Sequence, residues 1–339
     1  MATRDDQLLT NNVESTQPRA FNASELVACP SCSRANPPTR ANCLYCGAVL
    51  GSSVEALPAI ATGTAPEKGT EDLVHVVAVT AGSDGSEVSA ETAQLLNLAP
   101  PELKSLLSAR VAPLHATTAT EKAQAISDKL RSVGIQPVTI SDAQLNLATT
   151  PKQIAALAMD NAALTASVRR TGEKASVPWN DVVLIVLGRL YFMTTEVEQK
   201  RGKSKQVLDE RQLTSDEAVL DIYCRADETG WRIRAGSFDF SCLGAEKKPV
   251  AFENFRALAE VLRRNAPHAV YDDSYVRLRV ALNKVWPLES RANATERRRT
   301  LTREIDATAT ISDNENQFTR YARMLRLLAP QLQNDAQQS

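Results

Sequence analysis

Two pairs of cysteines near the N-terminus, Cys29-Pro30-Ser31-Cys32 and Cys43-Leu44-Tyr45-Cys46-Gly47, decide how the first part of this chain folds. Two thiolates that are two residues apart hold one ion from a single tight turn. Two such turns supply four sulfurs at about 2.3 Å from a tetrahedral zinc ion. The spacing therefore predicts one Zn²⁺ per chain, bound by Cys29, Cys32, Cys43 and Cys46.

Four protein ligands fill the coordination shell of the predicted zinc ion, so no position remains for water or a substrate. We therefore expect a structural rather than a catalytic ion. A segment this short buries too little apolar surface to fold alone, and the metal supplies roughly 10 kcal/mol of folding free energy in zinc-finger peptides. The alternative is a redox-active Cys-x-x-Cys, which requires one pair beside a strand-to-helix junction instead of two facing pairs.

Residues 29–46 resemble the zinc-ribbon families, with Pro30 after the first cysteine and Asn36-Pro37 between the two pairs. The spacing also suits the RanBP2-type finger. That family has a tryptophan two residues before the first cysteine, where this chain has Val27. The simpler bacterial-style ribbon is the better match, and it implies a small module organised around a structural metal.

Size and charge bound the class of protein. A chain of 339 residues suggests two or three domains. Its 39 Lys and Arg nearly balance its 40 Asp and Glu, so only a local patch would bind nucleic acid or an acidic membrane. The sequence contains no apolar run of membrane-spanning length and no signal-peptide core. Four thiols committed to zinc favour a reducing compartment, and we expect a cytoplasmic protein.

The N-terminal third divides by composition and pattern. Residues 1–25 are predicted to be a disordered tail, 26–50 the ribbon and 51–70 a linker of small residues, proline and glycine. Residues 71–148 are predicted to form a small α/β domain in the order strand, helix, helix, strand, helix, strand. In this domain Thr118 or Thr120 is the expected cap of the last helix, and Gly134 its end.

Residues 71–145 resemble the C-terminal domain of the bacterial ribosomal stalk protein and the related Clp adaptor fold. The resemblance rests on Pro101-Glu102-Leu103, on Thr120 to Ile126, and on Gly134-Ile135. Those domains bind protein partners and carry out no chemistry. The resemblance therefore implies a docking role.

Residues 151–289 are predicted to form an antiparallel β domain closed by two helices, Phe252 to Asn265 and Ser274 to Trp286. Its most apolar stretch, Val182 to Phe192, reads as one bent strand or two consecutive strands, with Gly188 as the bend. With Trp179, a charged strand loop and a final helix, residues 160–289 resemble bacterial pleckstrin-homology-like domains. We expect a linker over 290–315 and a C-terminal helix over 316–332, which completes an α+β multidomain chain.

Three classes of function are compatible with the sequence. The favoured class is a non-enzymatic zinc-binding adaptor or scaffold that binds a protein partner, because every recognisable part is a docking part. The second class is a nucleic-acid-binding protein that uses the ribbon. Its candidate residues are Arg34, Arg40 and Tyr45, helped by Lys200, Arg201, Lys203 and Lys205 or by Arg297, Arg298 and Arg299.

The third class is an enzyme, for which the acidic pair Asp272-Asp273 and the isolated Asp239 are the candidate groups. Adjacent carboxylates point apart unless the backbone turns, so capping of a helix near Ser274 is the simpler role for the pair. Cys224 and Cys242 are expected to be small apolar residues, and the three histidines are expected to be structural. Those histidines are His75, His115 and His268.

Overall fold

The computed structural model describes residues 26–28, 35–36, 72–80, 89–200, 207–299 and 304–338 of the 339-residue chain. These residues form both helices and sheets, as expected for an α+β protein. By its internal contacts the chain divides into two compact units, Met1–Ala59 and Ile60–Ser339. In the first unit, β1 (Val27–Ala28) pairs antiparallel with β2 (Ala35–Asn36).

The second unit begins with a small antiparallel sheet and three helices. In chain order these are β3 (Val74–Val79), α1 (Ala90–Leu95), α2 (Pro100–Leu107), β4 (Val111–Thr117), α3 (Thr120–Ser132) and β5 (Pro137–Ser141). The strand order is β4-β3-β5. The sequence predicts this succession of elements, since Ser89 caps α1 through a 3.1 Å hydrogen bond from the Thr92 N–H and Gly134 follows α3 with φ +85°.

The predicted cap of α3 is wrong. Ala119 occupies the N-cap position and makes no side-chain hydrogen bond to the helix, so neither Thr118 nor Thr120 is the capping residue. Thr118 and Thr120 stand on either side of Ala119, and threonine is a favoured N-cap residue, so the sequence favours both neighbours over the residue that occupies the N-cap. The pattern therefore located the helix start but misplaced the cap by one residue.

The remainder of the second unit is a nine-stranded sheet with three helices. Its first strands are β6 (Lys152–Met159), β7 (Ala163–Val168), β8 (Lys174–Pro178), β9 (Val182–Lys200), β10 (Val207–Cys224) and β11 (Trp231–Arg234). The later elements are α4 (Ala251–Asn265), β12 (Val270–Asp272), α5 (Tyr275–Val285), β13 (Glu289–Arg299), β14 (Glu304–Asp313) and α6 (Glu315–Gln338). The strand order is β13-β14-β9-β10-β11-β6-β7-β8, and β12 pairs parallel with β9.

β9 is one strand through Gly188, so the alternative of two consecutive strands over Val182 to Phe192 is wrong. The pairing of β9 with β10 runs without a register shift from Glu198 and Asp209 inward past Gly188, so β9 is one continuous strand. A Cβ at this position would stand 2.7 Å from Cδ2 of Phe318 in α6. The missing side chain therefore serves close packing of the helix on the strand.

The predicted linker over 290–315 is also wrong. Nearly all of this segment lies in β13 and β14, which pair with each other and, through β14, with β9. Likewise the outer part of β10, from Val207 to Glu217, is a strand although its sequence is mostly polar. These strands are polar because they extend beyond the buried core, so the apolar alternation that marks a strand in a sequence is absent.

Two buried clusters of apolar side chains hold the second unit together. The first joins Leu114 of β4 and Leu130 of α3 to Val186 of β9, Trp286 and Met324 of α6. The second lies between α4 and the strands β6, β7, β10 and β11. Residues 71–148 thus share a core with residues from the predicted β domain and from α6, whereas the sequence suggests separate domains.

Candidate functional site

The four predicted zinc ligands, Cys29, Cys32, Cys43 and Cys46, lie outside the described residues. The described residues nearest to them are β1 and β2, whose register pairs Val27 with Asn36 and Ala28 with Ala35. These two strands directly precede and follow the segment 29–34, which contains the first cysteine pair. Within the described ranges, no group of three or more His, Cys, Asp or Glu side chains is placed to hold a metal.

Two of the acidic candidates for an enzyme, Asp272 and Asp239, accept hydrogen bonds from backbone N–H groups two residues later in the chain. Asp272 is buried, and its Oδ1 accepts hydrogen bonds from the Ser274 N–H at 3.0 Å and the Tyr321 hydroxyl at 3.0 Å. Burial raises the pKa of Asp272. Asp273 is exposed, so the two carboxylates face different surroundings. Asp239 accepts hydrogen bonds from the backbone and side chain of Ser241.

His75 is the most highly connected of the three histidines, and the sequence gives no sign of its partners. It is fully buried in β3, and its Nε2 lies 2.7 Å from Oδ1 of Asp142. The indole of Trp286 donates a hydrogen bond to Nδ1 of His75, and Arg320 of α6 lies 3.3 Å from the same Asp142 oxygen. Burial acts to raise the pKa of Asp142, but the His75 hydrogen bond and the Arg320 charge hold it below its ordinary value.

The cysteines and other histidines show no comparable grouping among the described residues. Burial raises the pKa of the Cys224 thiol to about 12, which suppresses the thiolate and leaves the side chain chemically inert. Burial also raises the pKa of Cys242. For His115, burial lowers the pKa and favours the neutral ring.

A buried ion pair joins β10, β11 and α6. Arg232 donates two hydrogen bonds to Asp221, with Nε–Oδ1 at 2.8 Å and Nη2–Oδ2 at 2.7 Å. Its remaining donors reach Glu315 at 3.2 Å and the Thr319 hydroxyl at 3.1 Å. Because both charged partners are buried and hydrogen-bonded, the cluster fixes the first turns of α6 against the sheet.

Beyond this ion pair, four neighbouring strands extend past the core. We call this part the β-arm: β9 from Met193, β10 up to Glu217, and all of β13 and β14. None of its described side chains belongs to either apolar cluster. The eight residues of β9 from Met193 to Lys200 span about 26 Å at about 3.3 Å per residue. As far as its side chains are described, the β-arm is therefore a polar sheet extension without a hydrophobic core of its own.

The β-arm has two edges along which no described strand pairs. β11 pairs with β10 at Val219–Ile222, and no strand that the structure describes pairs with the same edge of β10 between Asp209 and Asp216. On the other side, β13 is the terminal strand of the sheet. The side chains of residues 210–215 are exposed, and Leu213 keeps 62 % of its surface in solvent. Such an edge presents a row of N–H and C=O groups to a further strand.

The two edges differ in charge. The outer part of β10, residues 207–217, carries Asp209, Glu210, Asp216 and Glu217 against Arg211. By contrast, β13 carries four arginines against two glutamates. Those arginines are Arg291, Arg297, Arg298 and Arg299. One edge strand is thus acidic and the opposite one basic.

The candidates for nucleic-acid binding divide between described and undescribed residues. Lys200, Arg297, Arg298 and Arg299 stand at the end of the β-arm, where Ile305 pairs with Arg298 on one side and Lys200 on the other. Arg34, Arg40 and Tyr45 of the ribbon, and Arg201, Lys203 and Lys205, lie outside the described residues.

No protein-family model, curated protein or solved structure matches the chain. On the β-arm, the edge of β10 carries an exposed apolar side chain, Leu213, and a net negative charge over residues 207–217.

Proposed function

We propose that this chain is a non-enzymatic zinc-binding adaptor that captures an extended segment of a protein partner along the edge of β10. The edge of β10 between Asp209 and Asp216, with which no strand in the described part of the chain pairs, carries the proposal. Added strands gain main-chain hydrogen bonds from such an edge and gain specificity from alternate side chains. The structure describes no segment of this chain on that edge.

The chemistry of the partner follows from the side chains on the edge. Leu213 is the largest exposed apolar group there, and the segment 207–217 contains four acidic residues and one basic residue. A suitable partner segment is therefore extended, basic and provided with an apolar side chain that covers Leu213. Opposite charges on facing strands also favour one register over others.

The zinc site belongs to the same proposal. Four thiolates in two Cys-x-x-Cys pairs suit one tetrahedral Zn²⁺ and leave no open position, so the metal would stabilise the ribbon rather than react. The paired strands β1 and β2 flank in sequence the residues 29–34, which include Cys29 and Cys32. A ribbon that needs four reduced thiols is suited to the cytoplasm.

The resemblance of residues 71–145 to the stalk domain supports a docking role, because such domains bind protein partners and carry out no chemistry. The resemblance does not identify the partner. Under the adaptor proposal, the ribbon and the β-arm are two docking elements on one chain.

A partner-capture experiment tests whether the β10 edge binds a protein. The intact chain is used as bait in a lysate, with and without nuclease and at two salt concentrations. We expect Leu213→Lys to abolish capture of a defined protein, because a lysine on an edge strand opposes strand addition. Val280→Lys is the matched control, because Val280 is also an exposed apolar residue, 43 % accessible, but lies on α5.

Two results would contradict the adaptor proposal: equal loss of the partner in both variants, or capture that disappears with nuclease. Zinc content tests the metal separately. Protein purified without chelator should hold one equivalent of zinc, and Cys43→Ser should reduce this content. A Cys29→Ser variant that loses the partner would assign the ribbon to the same interface.

A further inference from the structure

We propose that a cavity beside α6 binds a small organic molecule that carries a phosphate group. The cavity has a volume of about 420 Å³. Pockets for small ligands occupy about 300–1,000 Å³, so this one has room for a phosphate and a small organic portion. None of the described residues that line it belongs to the β-arm, so the site is separate from the β10 edge.

Five segments of the second unit form the walls of the cavity. They are the residue before β4, the start of β9, the residue after β10, the connection from α4 into β12, and Leu332 and Gln333 of α6. Because these segments lie far apart in the sequence, no local pattern predicts that they meet.

The polar side chains on these walls are basic or neutral. Arg110 and Arg225 carry positive charge, and Asn180, His268 and Tyr271 add groups that donate hydrogen bonds. None of the described residues that line the cavity is an aspartate or a glutamate. A guanidinium binds the oxygens of a phosphate through parallel hydrogen bonds, so an anion with several oxygens suits these walls.

Both arginines keep donors for such an anion. Arg110 Nη2 donates to the carbonyl of Leu332 at 2.6 Å, and Arg110 forms no ion pair with any residue that the structure describes. The nearest carboxylate to Arg225 is that of Asp181, with 3.5 Å between Nε and Oδ1, and the Arg225 side chain is 71 % exposed. An exposed pair of this kind contributes little free energy, so it competes weakly with a bound phosphate.

The helix α6 holds the basic walls in place. Arg326 donates to the carbonyl of Arg225 at 3.2 Å, and Gln333 donates to the carbonyl of His268 at 3.1 Å. The helix also accepts the hydrogen bond from Arg110. The three walls are therefore fixed by one element before a ligand arrives, which lowers the entropy lost on binding.

The remaining wall is apolar and decides the class of ligand. Val182, Val183, Val270 and Leu332 line it, and each is at most 8 % exposed. Free phosphate would leave this wall without a contact, whereas a phosphate monoester with a small apolar group covers it. The cavity therefore suits an organic monoester better than the inorganic ion.

Calorimetric titration of the full chain in phosphate-free buffer tests the site. The probes are phenyl phosphate, inorganic phosphate and benzyl alcohol. We expect saturable binding of phenyl phosphate and binding of inorganic phosphate that is weaker by about tenfold, because the ion lacks the apolar group. Benzyl alcohol lacks the anion and should not bind at about 10 mM.

Substitutions assign the binding to the two arginines. Arg225→Gln and Arg110→Gln should each weaken phenyl phosphate binding by about tenfold or more. Arg225 is largely exposed, so its variant should fold normally, and a thermal melt checks the fold of the Arg110 variant. Arg256→Gln is the matched control, because Arg256 is an exposed arginine on α4 that does not line the cavity.

A single strand of about ten thymidines distinguishes the phosphate of a small molecule from that of a nucleic acid. It should not displace phenyl phosphate, because an enclosed volume of about 420 Å³ suits one phosphate with a small substituent. Displacement by this strand would overturn the proposal. So would the absence of saturable phenyl phosphate binding up to about 10 mM, full affinity in Arg225→Gln, or equal weakening in Arg256→Gln.

Discussion

The indole N–H of Trp286 donates a hydrogen bond to Nδ1 of His75, with 3.1 Å between the two nitrogen atoms. An Nδ1 that accepts a hydrogen bond carries no proton, so the ring proton lies on Nε2, which donates to Asp142 at 2.7 Å. This buried chain of hydrogen bonds joins the small three-stranded sheet to the end of α5. The two regions should therefore unfold as one cooperative unit.

Trp286→Phe tests this coupling. The substitution removes the donor and leaves Nδ1 of His75 buried without that partner, so we expect the free energy of unfolding to fall by about 1–3 kcal/mol. Trp179→Phe is the matched control, because the Trp179 indole donates to the carbonyl of Asp160, an exposed residue. Hydrogen exchange measured in β3 and β9 should show the same loss of protection in both strands for Trp286→Phe. Loss confined to β3 would contradict a common unfolding unit.

The Arg232–Asp221 pair should be more sensitive to loss of one partner than to loss of both. Asp221→Asn or Arg232→Met leaves a buried charge without its counterion and should cost about 3–5 kcal/mol in urea unfolding. The double variant Asp221→Leu/Arg232→Met removes both charges and should recover much of that loss. A double variant as unstable as the sum of the two single variants would show that the two charges do not act as a pair.

Gly188→Ala should destabilise the chain by about 1–3 kcal/mol, because the added methyl group overlaps the ring of Phe318. Phe318→Leu in the same chain should relieve the overlap, so the double variant should be more stable than the two separate effects predict. Gly236→Ala is the control, since its nearest neighbour is the flexible carboxylate of Glu217. Thermal melts of the unchanged chain, the two single variants, the double variant and the Gly236→Ala control measure the effect. Independent, additive losses would argue against direct contact between strand and helix at this point.

Glu315 should make stability depend on pH. Burial acts to raise its pKa, but hydrogen bonds and charges from Arg234 and Arg232 hold the pKa below its ordinary value of 4.5. Because the folded pKa is the lower one, the stabilisation is fully present above about pH 5 and is lost as the pH falls through the folded pKa. Urea unfolding between pH 7 and pH 3 should show a smaller loss for Glu315→Gln than for the unchanged chain. Glu121→Gln, on the exposed face of α3, should follow the unchanged chain, and identical pH profiles for all three would refute the assignment.

The division at Ala59 and Ile60 gives a prediction about the ribbon. A fragment that starts near Glu71 retains the whole described part of the second unit, so we expect it to melt within about 2 °C of the intact chain. Chelation of zinc in the intact chain should likewise leave this transition in place. Calorimetry of the fragment, the intact chain and the chelated chain measures both effects. A large drop in either case would mean that the ribbon contributes to the stability of the second unit.

The sequence predicts the elements that have both an apolar pattern and residues typical of helix or strand ends. The α/β region is correct in order because Ser89, Pro100 and Gly134 mark ends of helices and its strands are apolar. The sequence does not predict the outer parts of the long strands, for a physical reason. The described side chains of the β-arm belong to neither apolar cluster, and the polar composition of these segments does not distinguish them from loops. Gly188 misleads in another way, since a glycine that bends a strand and one that admits a neighbouring ring look alike in a sequence.

Long-range polar contacts were equally inaccessible. Nothing near His75 in the sequence indicates Asp142 or Trp286, and nothing near Arg232 indicates that it forms its ion pair inside the core. The two charged edges illustrate the same limit. The sequence shows that one segment is acidic and another basic, but it does not show that β10 and β13 lie on opposite sides of the β-arm. The zinc ligands differ from these contacts because their local spacing alone predicts them. They lie outside the described residues and remain a prediction.

The pairing of β9 with β14 has a consequence for the nascent chain. Residues 192–200 of β9 pair with residues 305–313 of β14, which lie more than 100 residues later in the sequence and are therefore synthesised later. At about 5–20 residues per second, translation delivers those partners roughly 5–20 s after β9 has been made. During that interval one side of the longest strand in the protein is open to any other extended chain nearby, so newly made copies on one polysome are the first competitors for it.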